Sequence, residues 1–168
     1  MSDRVQHIPA PWPRLTSELE PTELLLVEVF RRWLLGAQEC RGQHWAMASN
    51  EFAQVLGAID GRAGLASLAA IMRELGEHGR RPVRYHPVCC PCVSADELWL
   101  IAIVGACQRG KLDHAHRLAE WMVGADGIGD VLGAACHLAT ALHAHERIMP
   151  ARGGRPARQG NPSDLERL

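Results

Sequence analysis

The residues best suited to chemistry in this sequence lie in one short segment. Residues 86–92 read His-Pro-Val-Cys-Cys-Pro-Cys, which places four potential metal ligands within seven residues: His86, Cys89, Cys90 and Cys92. Thiolate and imidazole are the ligands that zinc and other soft metals prefer, and the two prolines restrict the backbone that carries them. The segment, called the cysteine loop below, therefore predicts a metal site, with zinc as the favoured ion.

The spacing of the cysteine loop favours some ligand sets over others. The separated Cys-x2-Cys pairs of zinc fingers are absent from it. Adjacent Cys89 and Cys90 have side chains that tend to diverge, so ligation of one ion by both would strain the loop. The preferred set is Cys90 with Cys92, joined by His86 or Cys89. His78, at the end of a predicted helix, is a candidate for a further ligand, and a second copy of the chain could also complete the site.

The other cysteines suit this site less well. Cys107 lies fifteen residues after Cys92, on a predicted helix that rises about 1.5 Å per residue, which puts it roughly 20 Å from the loop. Cys136 is predicted about two turns into a later helix, and we expect both residues to pack in the core. Cys40 and His44 have the i, i+4 spacing of one helix face, but they lie near a predicted turn.

A second chemistry would suit the same loop. Arg80, Arg81 and Arg84 precede it, and Cys92 lies just before a predicted helix N-terminus, so positive charge would stabilise a thiolate there. A neighbouring thiol could then resolve oxidised Cys90 or Cys92 as a disulfide, which makes a redox sensor the thiol alternative. The third interpretation is that these cysteines fill gaps in packing and do no chemistry.

Composition indicates the setting of the loop. The 168 residues are 47% hydrophobic and 22% charged, with a net charge of -1, which suits one globular domain with a core of its own. This charge gives no general attraction to nucleic acid or to membranes. The N-terminus lacks a secretory signal pattern, and the longest apolar run, residues 98–107, is about half the length of a membrane span. We expect a cytoplasmic protein whose thiols stay reduced.

The fold is predicted to be all-α, a compact bundle of about six helices. Alanine and leucine are abundant while aromatic residues make up only 5%, and that mixture favours helix over sheet. Ser94-Ala-Asp-Glu97 is a capping box that starts the fourth helix, which is apolar on every side and ends at Gly110. The other five predicted helices cover residues 22–36, 43–56, 63–78, 112–122 and 128–145.

These helices define the predicted organisation of the chain. The cysteine loop lies between the third and fourth helices. Residues 1–20 contain three prolines, at positions 9, 11 and 13, and are predicted to be an extended arm. The helical domain is then residues 21–148, and residues 149–168 are predicted to be a disordered tail because they offer little apolar area to bury.

Residues 100–122 carry a further local pattern. An isoleucine-containing helix is followed by Ala106-Cys-Gln-Arg-Gly110-Lys-Leu and then by Ala115 and Met122. This pattern resembles a single pentatricopeptide or tetratricopeptide helical hairpin. Such hairpins form a binding groove only when several copies stack, and no second copy occurs in the sequence. The resemblance therefore implies a helix–turn–helix here, without an RNA-binding or adaptor function.

The sequence contains no recognisable catalytic constellation, neither a nucleophile elbow nor a glycine-rich nucleotide loop, so it does not predict an enzyme. We expect a small cytoplasmic accessory or regulatory protein that binds metal through the cysteine loop. Its expected partner is another protein or a second copy of itself, rather than a membrane or nucleic acid, and no small-molecule substrate is indicated. The alternative from a different class is a metal-free helical interaction module whose arm and tail carry the binding.

Overall fold

A computed structural model describes residues 11–152 of the chain. A short 3-10 helix, Thr16–Glu18, is followed by five α-helices: α1 (Pro21–Glu39), α2 (Gly42–His78), α3 (Ala95–Gln108), α4 (Leu112–Met122) and α5 (Ala125–Ala144). No strand occurs between residues 11 and 152. The predicted all-α class is therefore confirmed.

The long helix α2 turns back on itself at Gly57. This residue has φ 76° and ψ 170°, a conformation that glycine adopts far more readily than any other residue. A Cβ added at Gly61 would lie 2.7 Å from the backbone nitrogen of Ala53, whereas eight residues of straight helix span about 12 Å. Helix α2 therefore consists of two helical segments that Gly57 separates, in the regions where helices were predicted over residues 43–56 and 63–78. With α2 counted as one element the structure has five helices, so the predicted count of six and the predicted place of the cysteine loop between a third and a fourth helix are not confirmed.

The helix α3 lies at the centre of the fold, in contact with α1, α4 and α5. Its residues 96–106 are all buried, and the indole N–H of buried Trp99 donates to the carbonyl of Leu118 at 2.8 Å. The predicted capping box is present, because the Glu97 amide donates to Ser94 Oγ at 3.1 Å and the Ser94 amide donates to Glu97 Oε2 at 2.7 Å. The helix start predicted from the sequence Ser94-Ala-Asp-Glu97 is therefore confirmed.

The helices α3 and α4 form the predicted helix–turn–helix. Gly110 takes the left-handed conformation between them, with φ 66°. The Lys111 amide donates to the carbonyl of Ala106 at 2.9 Å and closes the end of α3. This turn lets the chain reverse within a few residues, so that α4 packs against α3.

The described part of the predicted arm runs along the cysteine loop. Leu15 forms an antiparallel bridge with Cys92, and the Thr16 amide donates to the carbonyl of Pro91 at 2.7 Å. The Val93 amide donates in turn to a carbonyl of the arm at 2.9 Å. The arm is thus hydrogen-bonded to the segment that carries the candidate ligands.

The first four residues of the predicted disordered tail pack against the domain. Met149 is buried, with 3% of its surface exposed, and the guanidinium of Arg152 forms an ion pair with the buried carboxylate of Glu23. The buried side chain of Met149 and the ion pair of Arg152 are contacts that the low apolar content of the tail did not predict. The rest of the tail, residues 153–168, and residues 1–10 of the arm lie outside the described residues.

The helix α2 is long and apolar enough to be a candidate membrane span by length and composition alone. One such helix is a weak indication, because the core helix of a soluble protein can pass the same test. The break at Gly57 interrupts this helix, and its Phe52, Leu56, Leu68 and Ile71 are buried in the core.

Candidate functional site

The cysteine loop is built around a buried ion pair between Arg31 of α1 and Glu97 of α3. Their side chains are 1% and 0% exposed. Arg31 Nε donates to Glu97 Oε1 at 2.7 Å, and Arg31 Nη2 donates to Glu97 Oε2 at 3.0 Å. Two parallel bonds of this kind fix orientation as well as distance, so the pair joins two helices that are distant in sequence.

The remaining donors of Arg31 hold the backbone of the cysteine loop. The guanidinium donates to the carbonyls of Pro87 at 3.3 Å, Cys90 at 2.8 Å and Cys92 at 2.5 Å. With the two bonds to Glu97, all five N–H groups of the guanidinium are used. Glu97 also accepts from the backbone amide of His86 at 3.0 Å. The path of the loop is therefore set by main-chain groups bonded to one buried arginine and its carboxylate.

Three thiols of the loop reach the surface or its edge. Cys89 and Cys92 are exposed, and Cys90 is half-buried. The neighbouring Cys90 thiol raises the pKa of Cys92, while the charge of Arg31 acts in the opposite direction with a smaller effect. A raised pKa leaves less thiolate at neutral pH, which is opposite to the electrostatic activation that the redox interpretation expects.

Cys90 and Cys92, the pair preferred from the sequence, are thus brought together. Neither His86 nor Cys89 joins them in a group of three ligands, because in residues 11–152 no cluster of three metal-binding side chains within 4.8 Å of one another includes a loop thiol. Of the four candidate ligands in the loop, Cys90 and Cys92 are thus the two that influence each other.

His78 belongs to a different cluster. Its ligand atom and those of Glu74 and Glu77 lie within 4.8 Å of one another, and His78 Nε2 is 3.7 Å from Glu74 Oε2. All three residues lie in the last two turns of α2, which ends at His78. In residues 11–152 this cluster contains no ligand from the cysteine loop.

The arginines that precede the loop have partners of their own. Arg81 forms an ion pair with buried Asp96, at 2.7 Å and 2.5 Å, and the Arg84 amide donates to Asp96 Oδ2 at 2.7 Å. Arg80 Nε donates to the carbonyls of residues 120 and 123. Asp96 and Glu97 at the start of α3 thus anchor the two halves of the segment between α2 and α3.

A second thiol pair lies between α3 and α5, where the sequence predicted two separate core residues. The Sγ of Cys136 lies 3.3 Å from the Sγ of Cys107, and both residues are half-buried. Burial and the contact with Cys136 raise the pKa of Cys107 to about 12. The sequence gives each cysteine a position on its own helix but no signal that the two helices align them.

Arg31 and Glu97 are the functional residues that the sequence reasoning missed. The predicted first helix was assigned its inward face from apolar spacing alone, and a charged residue beside that face is expected to point to solvent. The available signal was Glu97, whose role in the capping box places it at the foot of a buried helix. A carboxylate in such a place requires a cationic partner.

A scan against protein-family models found no match for this chain, and searches of curated proteins and of solved structures also found none. The function is therefore inferred from the thiols and from the residues that hold them.

Proposed function

We propose that the protein is a small cytoplasmic accessory or regulatory protein that binds a thiophilic cation, zinc above all, through Cys90 and Cys92. The observation that carries this proposal is the fixed backbone of the two cysteines: the carbonyls of Cys90 and Cys92 accept from buried Arg31 at 2.8 Å and 2.5 Å, and the thiols lie at or near the surface. A cation that displaces the protons of both thiols would take both sulfurs as ligands.

The backbone under these thiols supports the proposal. Metal affinity falls when ligands must be ordered at the moment of binding. Here the carbonyls of Cys90 and Cys92 are bonded to Arg31, and Arg31 is itself locked by Glu97. The loop therefore enters binding with its backbone already fixed, and only side-chain rotations remain to be lost.

The number of sulfurs explains why a partner is part of the proposal. Structural zinc has four ligands, of which Cys90 and Cys92 supply two. His86 or Cys89 supplies a third ligand after side-chain rotation, and a partner protein or a second copy of the chain supplies the fourth. In this arrangement the cation joins two chains, which suits an accessory protein that acts through contacts.

The redox alternative receives less support. Fast reaction of a cysteine with an oxidant requires thiolate, and the pKa of Cys92 is raised by the thiol of Cys90. The metal-free interaction module is also less well supported, since residues 14–16 of the arm are bonded to the loop and to neighbouring residues of the arm.

Zinc titration of the reduced full-length protein tests the proposal. We expect one zinc per Cys90–Cys92 pair by elemental analysis after removal of free metal, and thiolate-to-metal charge transfer in the near ultraviolet when cobalt(II) replaces zinc. Cys90→Ser and Cys92→Ser remove a direct ligand, so each is expected to weaken binding by more than about 100-fold. Cys40→Ser is the matched control, because Cys40 is also exposed and ends α1 outside the loop.

Two results would contradict the metal proposal. One is metal-free protein under reducing conditions without chelator. The other is binding that Cys40→Ser weakens as much as Cys92→Ser does. If no metal binds and Cys90 and Cys92 react rapidly with a thiol reagent near pH 6, the redox sensor is favoured. Inert loop thiols together with a protein partner recovered by the metal-free chain would favour the interaction module.

A further inference from the structure

The pair Cys107–Cys136 is the second place where two thiols meet, and it is independent of the cysteine loop. Cys107 lies in the last turn of α3, and Cys136 lies near the middle of α5. The two helices pack against each other. The residues that precede these cysteines, Ala106 and Ala135, are fully buried, and such small side chains let helix backbones approach closely.

The separation of the two sulfurs is close to that of a covalent bond. A disulfide has an S–S length of about 2.05 Å, and the two Sγ atoms are 3.3 Å apart. The remaining gap is just over 1 Å, which small rotations about the two Cα–Cβ bonds can close. Neither cysteine is held by a competing side chain, since the hydrogen bond of Cys136 is made to Cys107 itself.

We propose that Cys107 and Cys136 are a modification site, and that a hydroperoxide converts them into a reversible disulfide joining α3 to α5. Cys107 lines a surface cavity of about 180 Å³ together with Gln108, Ala139, Thr140 and His143. A molecule as small as hydrogen peroxide fits this volume beside Cys107, and the half-buried Cys136 thiol lies 3.3 Å from the Cys107 sulfur.

The reaction balances with hydrogen peroxide as the oxidant. The Cys136 thiolate attacks one peroxide oxygen, so that an S–O bond forms, the O–O bond breaks and hydroxide leaves to become water. Cys107 sulfur then attacks the sulfenic sulfur: the S–S bond forms, the S–O bond breaks, and the Cys107 proton leaves with the hydroxyl as a second water. The two thiols lose two electrons and the peroxide gains them.

Cys107 is assigned the second step because burial keeps it protonated at neutral pH. A thiol attacks peroxide slowly in that state, but it can still condense with a sulfenic acid beside it. The rate of cross-linking is therefore set by Cys136, and the bond forms on exposure to sustained oxidant rather than to a brief pulse.

The cross-link would act on the C-terminal segment that follows α5. Gln108, the residue after Cys107, donates to the carbonyl of Arg147 at 2.8 Å and accepts from the amide of Met149 at 2.8 Å. A disulfide that fixes Cys107 to α5 also fixes Gln108, and with it the two hydrogen bonds to the C-terminal segment. Reduction with a dithiol reagent breaks the S–S bond and removes this constraint.

Peptide mapping of the oxidised full-length protein tests the proposal. Digestion with trypsin and a glutamate-specific protease puts Cys107 in residues 98–109 and Cys136 in residues 121–146, apart from the loop cysteines. After treatment with hydrogen peroxide and blocking of free thiols, we expect these peptides as one species two hydrogens lighter than their sum. Unfolding without reductant should then show a Tm several degrees higher, because a cross-link restricts the unfolded chain. Dithiothreitol should abolish both effects.

Cys136→Ser is the control variant, since serine preserves size and cannot form the bond. It is expected to show neither the linked peptide nor the rise in Tm, and to bind zinc at Cys90 and Cys92 as the wild type does, which separates this inference from the proposed metal site. The inference is overturned if the folded wild type yields the two peptides separately, whether both cysteines remain alkylatable or become sulfinic acids. A Tm rise that persists in Cys136→Ser would also overturn it.

Discussion

Replacing Arg31 with methionine removes the cation at the centre of the cysteine loop while keeping the length and apolar stem of the side chain. The carboxylate of Glu97, which is 0% exposed, is then left buried without a counter-charge. Its remaining partners are backbone amides, those of His86 at 3.0 Å and Ser94 at 2.7 Å. Removing one member of a buried ion pair costs about 3–5 kcal/mol of folding free energy. Since a domain of this kind has about 5–15 kcal/mol in total, the variant should remain folded only marginally.

The expected loss can be read from unfolding curves. For a domain of about 150–250 residues, each kcal/mol lowers Tm by about 2–4 °C, so Arg31→Met should lower Tm by about 6–20 °C. Urea unfolding followed by far-ultraviolet circular dichroism gives the free energy directly. Arg31→Lys keeps the charge but has only three N–H donors and no fork geometry, so we expect a smaller loss.

Comparison of the double variant Arg31→Met/Glu97→Leu with Arg31→Met measures how much of the lost stability comes from the unpaired charge of Glu97. With both charges removed, no buried charge is left unpaired, and part of the lost stability should return. The recovery is incomplete because the amides of His86 and Ser94 lose their acceptor. The loop carbonyls still lack their donor, so Cys90 and Cys92 should react faster with a thiol reagent in both variants than in the wild type. The reasoning is refuted if Arg31→Met loses less than about 1 kcal/mol and the loop thiols react at the wild-type rate.

Three further outcomes follow from the fold and the thiols. Gly57→Ala places a Cβ on a backbone with φ 76°, which L side chains rarely adopt, and should cost about 1–3 kcal/mol. Gly129→Ala lies inside α5, where a Cβ would meet nothing within 4 Å, and should stabilise the protein by about 0.5–1 kcal/mol; equal effects in urea unfolding would contradict the strained break. Ser94→Ala removes the side-chain cap of α3 and should cost about 0.5–2 kcal/mol by the same measurement, and a neutral result would show that the cap is dispensable. Alkylation of Cys107 should accelerate about tenfold per pH unit towards its raised pKa of about 12, and Cys136→Ser should lower that pKa by removing one of its causes; a plateau below pH 9 would rule the shift out.

The helical class and most helix positions could be predicted because they follow from local pattern. The fifth predicted helix, residues 112–122, coincides with α4, and the capping box gave the start of α3. The region around Gly57 could not be resolved in the same way. Periodicity gives two apolar stripes, but it does not reveal that a single non-helical residue, Gly57, separates the two helical segments and turns one back along the other.

Ligand type and spacing predict Cys90 and Cys92 as a pair of ligands, and that remains a prediction. The residues that hold the loop could not be predicted in the same way. Arg31 is 66 residues from Glu97, and no local pattern reports a contact over such a distance. The pairing of Cys107 with Cys136 depends on the relative rotation of α3 and α5, which the sequence of neither helix determines alone.

The bonds from Arg31 to the cysteine loop end on main-chain carbonyls, not on sulfur. The shape of the loop is therefore insensitive to which side chains stand at positions 90 and 92, provided that Pro87 and Pro91 keep the backbone in its present conformation. Histidine or aspartate could occupy either position without unfolding the segment. Single substitutions at positions 90 and 92 should therefore change which cation the loop prefers without changing the helices that support it.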